Sequence, residues 1–135
     1  NVCGLGQKNE FVISKFINNA KKKGLIRVYG SGNQIRCFCH VNDATEAMTK
    51  LIKSKYRNDT FNIGNNSYPI SMISLAKYVS SQFKQKIRII KIPFEKSDRT
   101  KEREIYFRKP NLEKVKKAIS YKPKVNLKKI VREYF

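Results

Sequence analysis

Acidic residues are scarce in this sequence: ten Asp and Glu stand against thirty Lys and Arg, a formal charge of +20 over 135 residues. Such an imbalance ordinarily points to a polyanionic partner, because neutralising phosphates drives non-specific binding. Here the basic residues run along the whole chain, from Lys8 to Arg132, instead of forming one stripe. A lysine-rich solvated surface accounts for that spread, with non-specific nucleic-acid binding expected at low salt. Cysteine is also sparse. Cys3, Cys37 and Cys39 are an odd set that excludes a disulfide framework. Cys37, Cys39 and His40 lack a second ligand pair at zinc-like spacing, so no metal site is expected. On one face of a strand, Cys37 and Cys39 are expected to be buried thiols of a reducing cytosol. No stretch approaches the ~20 apolar residues that span a bilayer, so no membrane partner is expected. The opening Asn1-Val2-Cys3-Gly4 has no basic n-region and no apolar h-region. The expectation is a cytoplasmic protein without a signal peptide, whose chain begins inside something longer. A glycine-rich strand-to-helix loop of the dinucleotide type is missing too, and Gly4-Leu5-Gly6 and Gly30-Ser31-Gly32 read as turns.

What remains is enough for one compact domain, with 40% hydrophobic and 11% aromatic residues. Val12, Ile13, Phe16, Ile17 and Ala20 mark a helical face within Phe11 to Lys23, closed by Gly24 behind a Lys21-Lys22-Lys23 run. Ile26 to Tyr29 and Arg36 to Val41 read as strands. Asp43-Ala44-Thr45-Glu46 has the spacing of a capping box, which makes both carboxylates caps and not catalysts. Ala47, Met48, Leu51 and Ile52 continue that helix. Thr60 to Gly64 reads as a strand, and Ser71 as the cap of a helix burying Ile73, Leu75, Ala76 and Val79. Ile87 to Ile92 is a further strand. A polar loop, Glu95 to Glu104, precedes a helix capped by Asn111 and broken at Pro123, and a last helix starts near Leu127. The alternation predicts an α/β fold with a small parallel sheet.

Four segments, in order, resemble the C-terminal half of the extended short-chain dehydrogenase/reductases that act on nucleotide sugars. Asn1-Val2-Cys3-Gly4-Leu5-Gly6-Gln7 is similar to the family's N-V-Y-G-P-G-Q. The run from Val28 to Ala44 is similar to V-Y-G-x-G-x-x-x-R-x-F-x-(H/Y)-V-x-D-(A/V). Phe61-Asn62-Ile63-Gly64-Asn65 matches (Y/F)-N-(I/L)-G-x. Arg108-Lys109-Pro110-Asn111, Lys114 and Tyr121-Lys122-Pro123 resemble R-x-P-(D/N)…K…G-(Y/W)-x-P, with Ser120 where glycine is usual. Within the family the chain looks most like UDP-glucose 4-epimerases and UDP-glucuronate decarboxylases, and these motifs do not separate them from dTDP-glucose dehydratases.

The resemblance implies an α/β fold: the C-terminal part of a doubly wound, Rossmann-type sheet plus the small mixed region that binds substrate. It implies that residues 1–135 form a single segment binding a UDP- or dTDP-sugar. NAD would be held by a missing N-terminal half, with none on this chain alone and a homodimer possible in the full-length family. The family's catalytic Tyr-x-x-x-Lys has no match, so no catalytic residue is expected here. By correspondence, Asn1 would hydrogen-bond the diphosphate, Phe11 and Val12 would line the uridine site, and Tyr29 would pack on the base. Arg36 would clamp phosphate, Arg99 or Arg103 would supply a second clamp, and Arg108 would be structural. Two alternatives stand beside this reading: a basic nucleic-acid-binding module, and a catalytically dead scaffold fragment.

Overall fold

Helix α1 (Val12–Lys23) buries Ile13, Phe16, Ile17 and Ala20, one stripe at helical spacing. It ends where Gly24 turns left-handed at φ 62° and donates its N–H to Ala20 O. That conformation costs glycine nothing, and Lys21, Lys22 and Lys23 lie in the last turn beside the exposed carbonyls. The chain passes directly into β2 (Leu25–Tyr29), whose Ile26 and Val28 are buried. Strand β6 (Arg88–Ile92) pairs with it in parallel, in register from Leu25↔Arg88 to Tyr29↔Ile92. Gly24 O and Gly30 N lengthen this ladder at its two ends. Helices α3 (Met72–Ser80) and α5 (Leu127–Arg132) complete the main core with Leu75, Ala76, Val79, Ile130 and Val131. These residues come from a computed structural model that describes residues 1–96 and 105–135.

A second, smaller core lies between α2 (Val41–Ile52) and α4 (Glu113–Ile119), where Ala47, Leu112, Val115 and Tyr121 pack with Phe61 and Ile63. Short strands join the two cores. β1 (Val2–Cys3) runs parallel to β4 (Cys39–His40). β3 (Ile35–Arg36) lies between antiparallel β5 (Ile70–Ser71) and parallel β7 (Phe107–Arg108). The architecture is α/β with parallel pairing, as the alternation of elements predicts. The last residues close on the first: Tyr134 donates its hydroxyl to Gly4 O at 2.6 Å, and Lys21 Nζ donates to Tyr134 O at 2.5 Å.

Several local expectations are corrected. The strand expected over Arg36 to Val41 is two two-residue strands in different sheets, and Val41 already begins a helix. Cys37 and Cys39 are nonetheless both buried. Thr60 to Gly64 is not a strand; Phe61 and Ile63 pack there without a ladder partner among the described residues. Asp43 does not cap α2. His40 does, with Nδ1 accepting from Asn42 N at 3.2 Å, which leaves Nε2 to donate to Glu133 Oε2 at 2.9 Å. Asp43 is 4% exposed and accepts from the backbone N–H groups of Lys124 and Val125, both at 3.0 Å. The start of α4 falls one residue later than expected. Leu112 holds the cap position while Asn111 Oδ1 accepts from Glu113 N.

Helix α4 ends at Ile119 as expected, but the residue that ends it is Ser120 and not Pro123: Ser120 adopts φ 51° and ψ 41°, a left-handed cap. A Cβ in that region costs about 1–2 kcal/mol, whereas glycine adds about 0.5–1 kcal/mol of unfolded-state entropy. Ser120→Gly should therefore raise stability by about 0.5–1 kcal/mol, read as a thermal midpoint about 2–4 °C higher. A midpoint at or below the parent's would show that the cap carries no strain.

Candidate functional site

The start of α1, the strand β2 and the β3 segment converge on a cleft of about 630 Å³. That is the size of a small-molecule site. Along β2, Ile26 and Val28 turn into the core, so Arg27 and Tyr29 share the other face and line the cleft. In the β3 segment Gln34, Arg36 and Phe38 line it, while Ile35 and Cys37 do not. Phe11 holds the N-cap position of α1 with its ring half-exposed, and Val12 beside it packs partly against the main core. Asn1 is fixed alongside by its carbonyl, which accepts from Cys39 N at 3.1 Å. The fold thus brings Asn1, Phe11, Val12, Tyr29 and Arg36 to one cleft. Arg99 and Arg103 lie outside the described residues.

Sequence reasoning missed several residues of this lining, Arg27, Gln34 and Arg108 among them. Arg27 was signalled only by its polar character between buried Ile26 and Val28. Gln34 carried no local signal. Arg108, expected to be structural, stands on β7 in Cα register with Arg36 on β3, so two arginines lie on neighbouring strands at the cleft. That pairing joins residues far apart in sequence and no local pattern reports it.

Charge in the cleft is mostly of one sign. Lys15, Arg27, Arg36 and Arg108 line it with a single carboxylate, Glu10. Neither Arg27 nor Arg108 forms a salt bridge among the described residues. Arg36 Nη1 donates to Ile35 O at 2.9 Å and to Ile105 O at 2.6 Å, which holds the guanidinium against the segment leading into β7. Lys15 Nζ lies 5.5 Å from the centre of the Tyr29 ring, within cation–π range. Aromatic walls and a concentration of cations together suit a ligand with a flat ring and an anionic group.

The Gly30-Ser31-Gly32 turn after β2 does not form a dinucleotide loop. Gly30 and Gly32 have positive φ, but a Cβ on Gly30 would lie 3.3 Å from Phe94 Cδ2 and one on Gly32 only 2.7 Å from Val28 Cγ1. These glycines are packed against the protein's own side chains and form no open phosphate cradle. No cluster of three metal-ligating side chains occurs among the described residues. Nor is there an activated thiol. Burial pushes Cys3 up to about 12 and raises Cys37 and Cys39, so all three stay protonated at neutral pH. Because the Cys3 value is raised on folding, its contribution to stability is intact below about pH 9 and is lost as pH rises toward 12. Tyr121 is likewise raised by burial and donates to Gly64 O at 2.8 Å, a structural role. Among the described residues no helix is long and apolar enough to cross a membrane.

Comparison with known proteins agrees with this geometry. Residues 1–64 match the NAD dependent epimerase/dehydratase family. The UDP-N-acetyl-alpha-D-glucosaminuronate decarboxylase of Bacillus cytotoxicus is 32% identical over 122 residues, which are 90% of this chain and 38% of that protein. UDP-glucuronic acid decarboxylase 2 of Arabidopsis thaliana is 32% identical over 117 residues, 87% of this chain and 24% of that one. The chain therefore spans about a quarter to two fifths of the length of these relatives. Its fold superposes on an epimerase of the methanogen Methanothermobacter thermautotrophicus with a TM-score of 0.86 at 18% identity, over 98% of this chain and 39% of that chain. With sequence and fold in agreement over nearly all of its length, the chain belongs to the NAD-dependent epimerase/dehydratase family.

Proposed function

We propose that these 135 residues are the part of an NAD-dependent epimerase, decarboxylase or dehydratase that grips the nucleotide sugar, with a UDP-sugar in the cleft. One observation carries this reading: Asn1, Phe11, Val12, Tyr29 and Arg36, scattered along the sequence, line a single cleft rich in cations. The UDP portion is suggested by the relatives, which are decarboxylases of UDP-linked uronic acids. Phe11 and Tyr29 offer aromatic surface to a base. Arg36, with Arg108 beside it, offers planar guanidinium donors that pair with diphosphate oxygens two at a time, where lysine supplies only a point charge. Binding energy from this non-reacting nucleoside diphosphate orients the sugar for chemistry. Neither a glycine-rich loop nor a Tyr-x-x-x-Lys pair occurs in these residues. Hydride and proton transfer are therefore assigned to the portion of the relatives' length that this chain does not span.

Calorimetric titration of UDP into the 135-residue chain, in about 150 mM salt, where the Debye length is about 8 Å, tests the reading. Saturable one-site binding is expected, with inorganic pyrophosphate binding more weakly because it leaves the aromatic walls unused. NAD should bind weakly, and no UDP-sugar should turn over with NAD present. UDP binding no tighter than pyrophosphate would reduce the cleft to a general cationic surface and end the nucleotide-sugar reading.

A further inference from the structure

The cations that run along the whole sequence are not spread evenly over the fold. Helix α1 ends in Lys21, Lys22 and Lys23, all exposed, and the chain turns at Gly24 straight into β2. There Gly24 O accepts from Arg88 N at 3.0 Å and Leu25 stands in register with Arg88, so the segment entering β6 lies beside the end of α1. Lys84, Lys86 and Arg88 are exposed on that segment, with Lys86 and Arg88 flanking buried Ile87. Lys21 is fixed at this end of the molecule. Its Nζ donates to Tyr134 O at 2.5 Å and lies 5.2 Å from the centre of the exposed Phe135 ring, which meets the Phe83 ring at 4.8 Å. None of these Lys and Arg side chains forms a salt bridge among the described residues. The carboxylates along the same elements stand away from them. Glu10 precedes the far end of α1, Glu95 follows the far end of β6, and Glu133 is paired with His40 at 2.9 Å.

We propose that this end of the molecule binds a single-stranded nucleic acid, on a surface separate from the nucleotide-sugar cleft. The cleft lies at the start of α1 and the end of β2, whereas these cations lie at the end of α1 and the start of β2. The length of α1 puts about 18 Å between the two. Like charges gathered without carboxylates carry a positive potential, and a partner with closely spaced negative charges relieves it. A phosphodiester backbone supplies one at every nucleotide, and each phosphate neutralised releases a condensed counterion. Paired strands lie about 4.8 Å apart, so the end of α1 and the entry to β6 act on one stretch of backbone. Among these cations the Phe135 ring offers a stacking face to an unpaired base. An anionic lipid surface fits less well, because α1 turns its apolar stripe into the core and leaves none to enter the acyl boundary.

Anisotropy titrations with a labelled thymidine oligonucleotide of about 20 residues, long enough to cover one site, test the proposal. Two triple variants are compared with the parent chain. One carries Lys22→Gln, Lys86→Gln and Arg88→Gln at this end; the other carries Lys53→Gln, Lys55→Gln and Lys117→Gln on and after α2 and on α4. Every one of these side chains is exposed, and both variants lower the +20 formal charge equally. In the parent, log K should fall against log salt with a slope of about −2 or steeper, the release expected from roughly three phosphates. The first variant should lose most of that slope and about tenfold or more in affinity at about 100 mM salt. The second should stay within about threefold of the parent, and UDP affinity should be the same in all three. The thymidine strand should also bind about threefold or more tighter than an abasic strand with as many phosphates, since only the former stacks. A parent slope shallower than about −1, or equal affinity for the abasic strand, overturns the proposal whether or not the variants fold. Equal losses in the two variants overturn it too, because the charge then acts diffusely. So does a matching fall in UDP affinity, which would join these cations to the cleft. Binding of phosphatidylserine vesicles with the same dependence on Lys22, Lys86 and Arg88 would replace the nucleic acid with a lipid surface.

Discussion

Asp43→Ala should lower the free energy of unfolding by about 3 kcal/mol or more, the largest single effect expected on stability. The Asp43 carboxylate receives two backbone N–H bonds at 3.0 Å, one from Lys124 and one from Val125. Bonds to a charged acceptor contribute about 1.5–3 kcal/mol each, and alanine leaves both donors unmet at a part-buried site. The carboxylate also joins α2 to the segment that leads into α5, so its loss loosens the approach to the main core. In urea the unfolding midpoint should fall by more than about 1 M. Asp43→Asn keeps the shape and one acceptor oxygen and should fall between. Glu46, three residues on, is the control. Hydrogen bonds from Lys124 and Lys50 hold its carboxyl down at about 2, but the group is exposed to water. Its contribution is present above the ordinary carboxylate range and is lost as pH falls toward 2, and solvent screening keeps it small. Glu46→Ala should leave the midpoint near the parent's. Equal effects at the two positions would show that Asp43 is no clamp.

Removing the Arg36 guanidinium should weaken UDP binding tenfold to a hundredfold. A charge-assisted phosphate contact is worth about 1.5–3 kcal/mol, and each 1.4 kcal/mol is roughly tenfold in affinity. Lys50→Ala serves as the comparison, because Lys50 lies on α2, pairs with part-exposed Glu46 among the described residues and is absent from the cleft lining. Arg36→Lys should recover part of the affinity, since charge remains while the planar fork is lost. The structure adds a requirement. Arg36 also donates to Ile105 O, so alanine frees the segment entering β7, and thermal melts of all three variants must accompany the calorimetry. Arg36→Lys keeps a donor for that carbonyl and is the cleaner measure of phosphate recognition. Matching dissociation constants for Arg36→Ala and Lys50→Ala would end the phosphate assignment.

Elements set by neighbours in sequence were legible, and those set by distant partners were not. Gly24 closes α1 and Ser71 Oγ accepts from Ser74 N at the start of α3, because both are short-range backbone problems with short-range solutions. Two-residue strands such as β3 and β7 have no period to detect, and their pairing is decided by residues far along the chain. Asp43 misled for the same reason. Asp-x-x-Glu is a sound local signal, but His40 took the cap, and the carboxylate found N–H groups 81 and 82 residues away. The cleft was legible only through resemblance, which supplied Asn1, Phe11, Val12, Tyr29 and Arg36. Arg27, Gln34 and Arg108 join them because of register and alternation in the folded chain.

The meeting of α5 with α1 and β1 also sets the order of events during synthesis. Ser14 and Gly4 are joined to Tyr134 across 120 and 130 residues, and Ile130 and Val131 sit fully buried in the core begun by Ile13 and Ile17. A growing polypeptide cannot seal that core until residues 130–134 have left the ribosome. Until then Ile13, Phe16, Ile17 and Ile26 lack part of their cover, and closing so long a loop is slow as well as late. While these 135 residues emerge, the segment is thus prone to associate, with +20 of like charge acting against association.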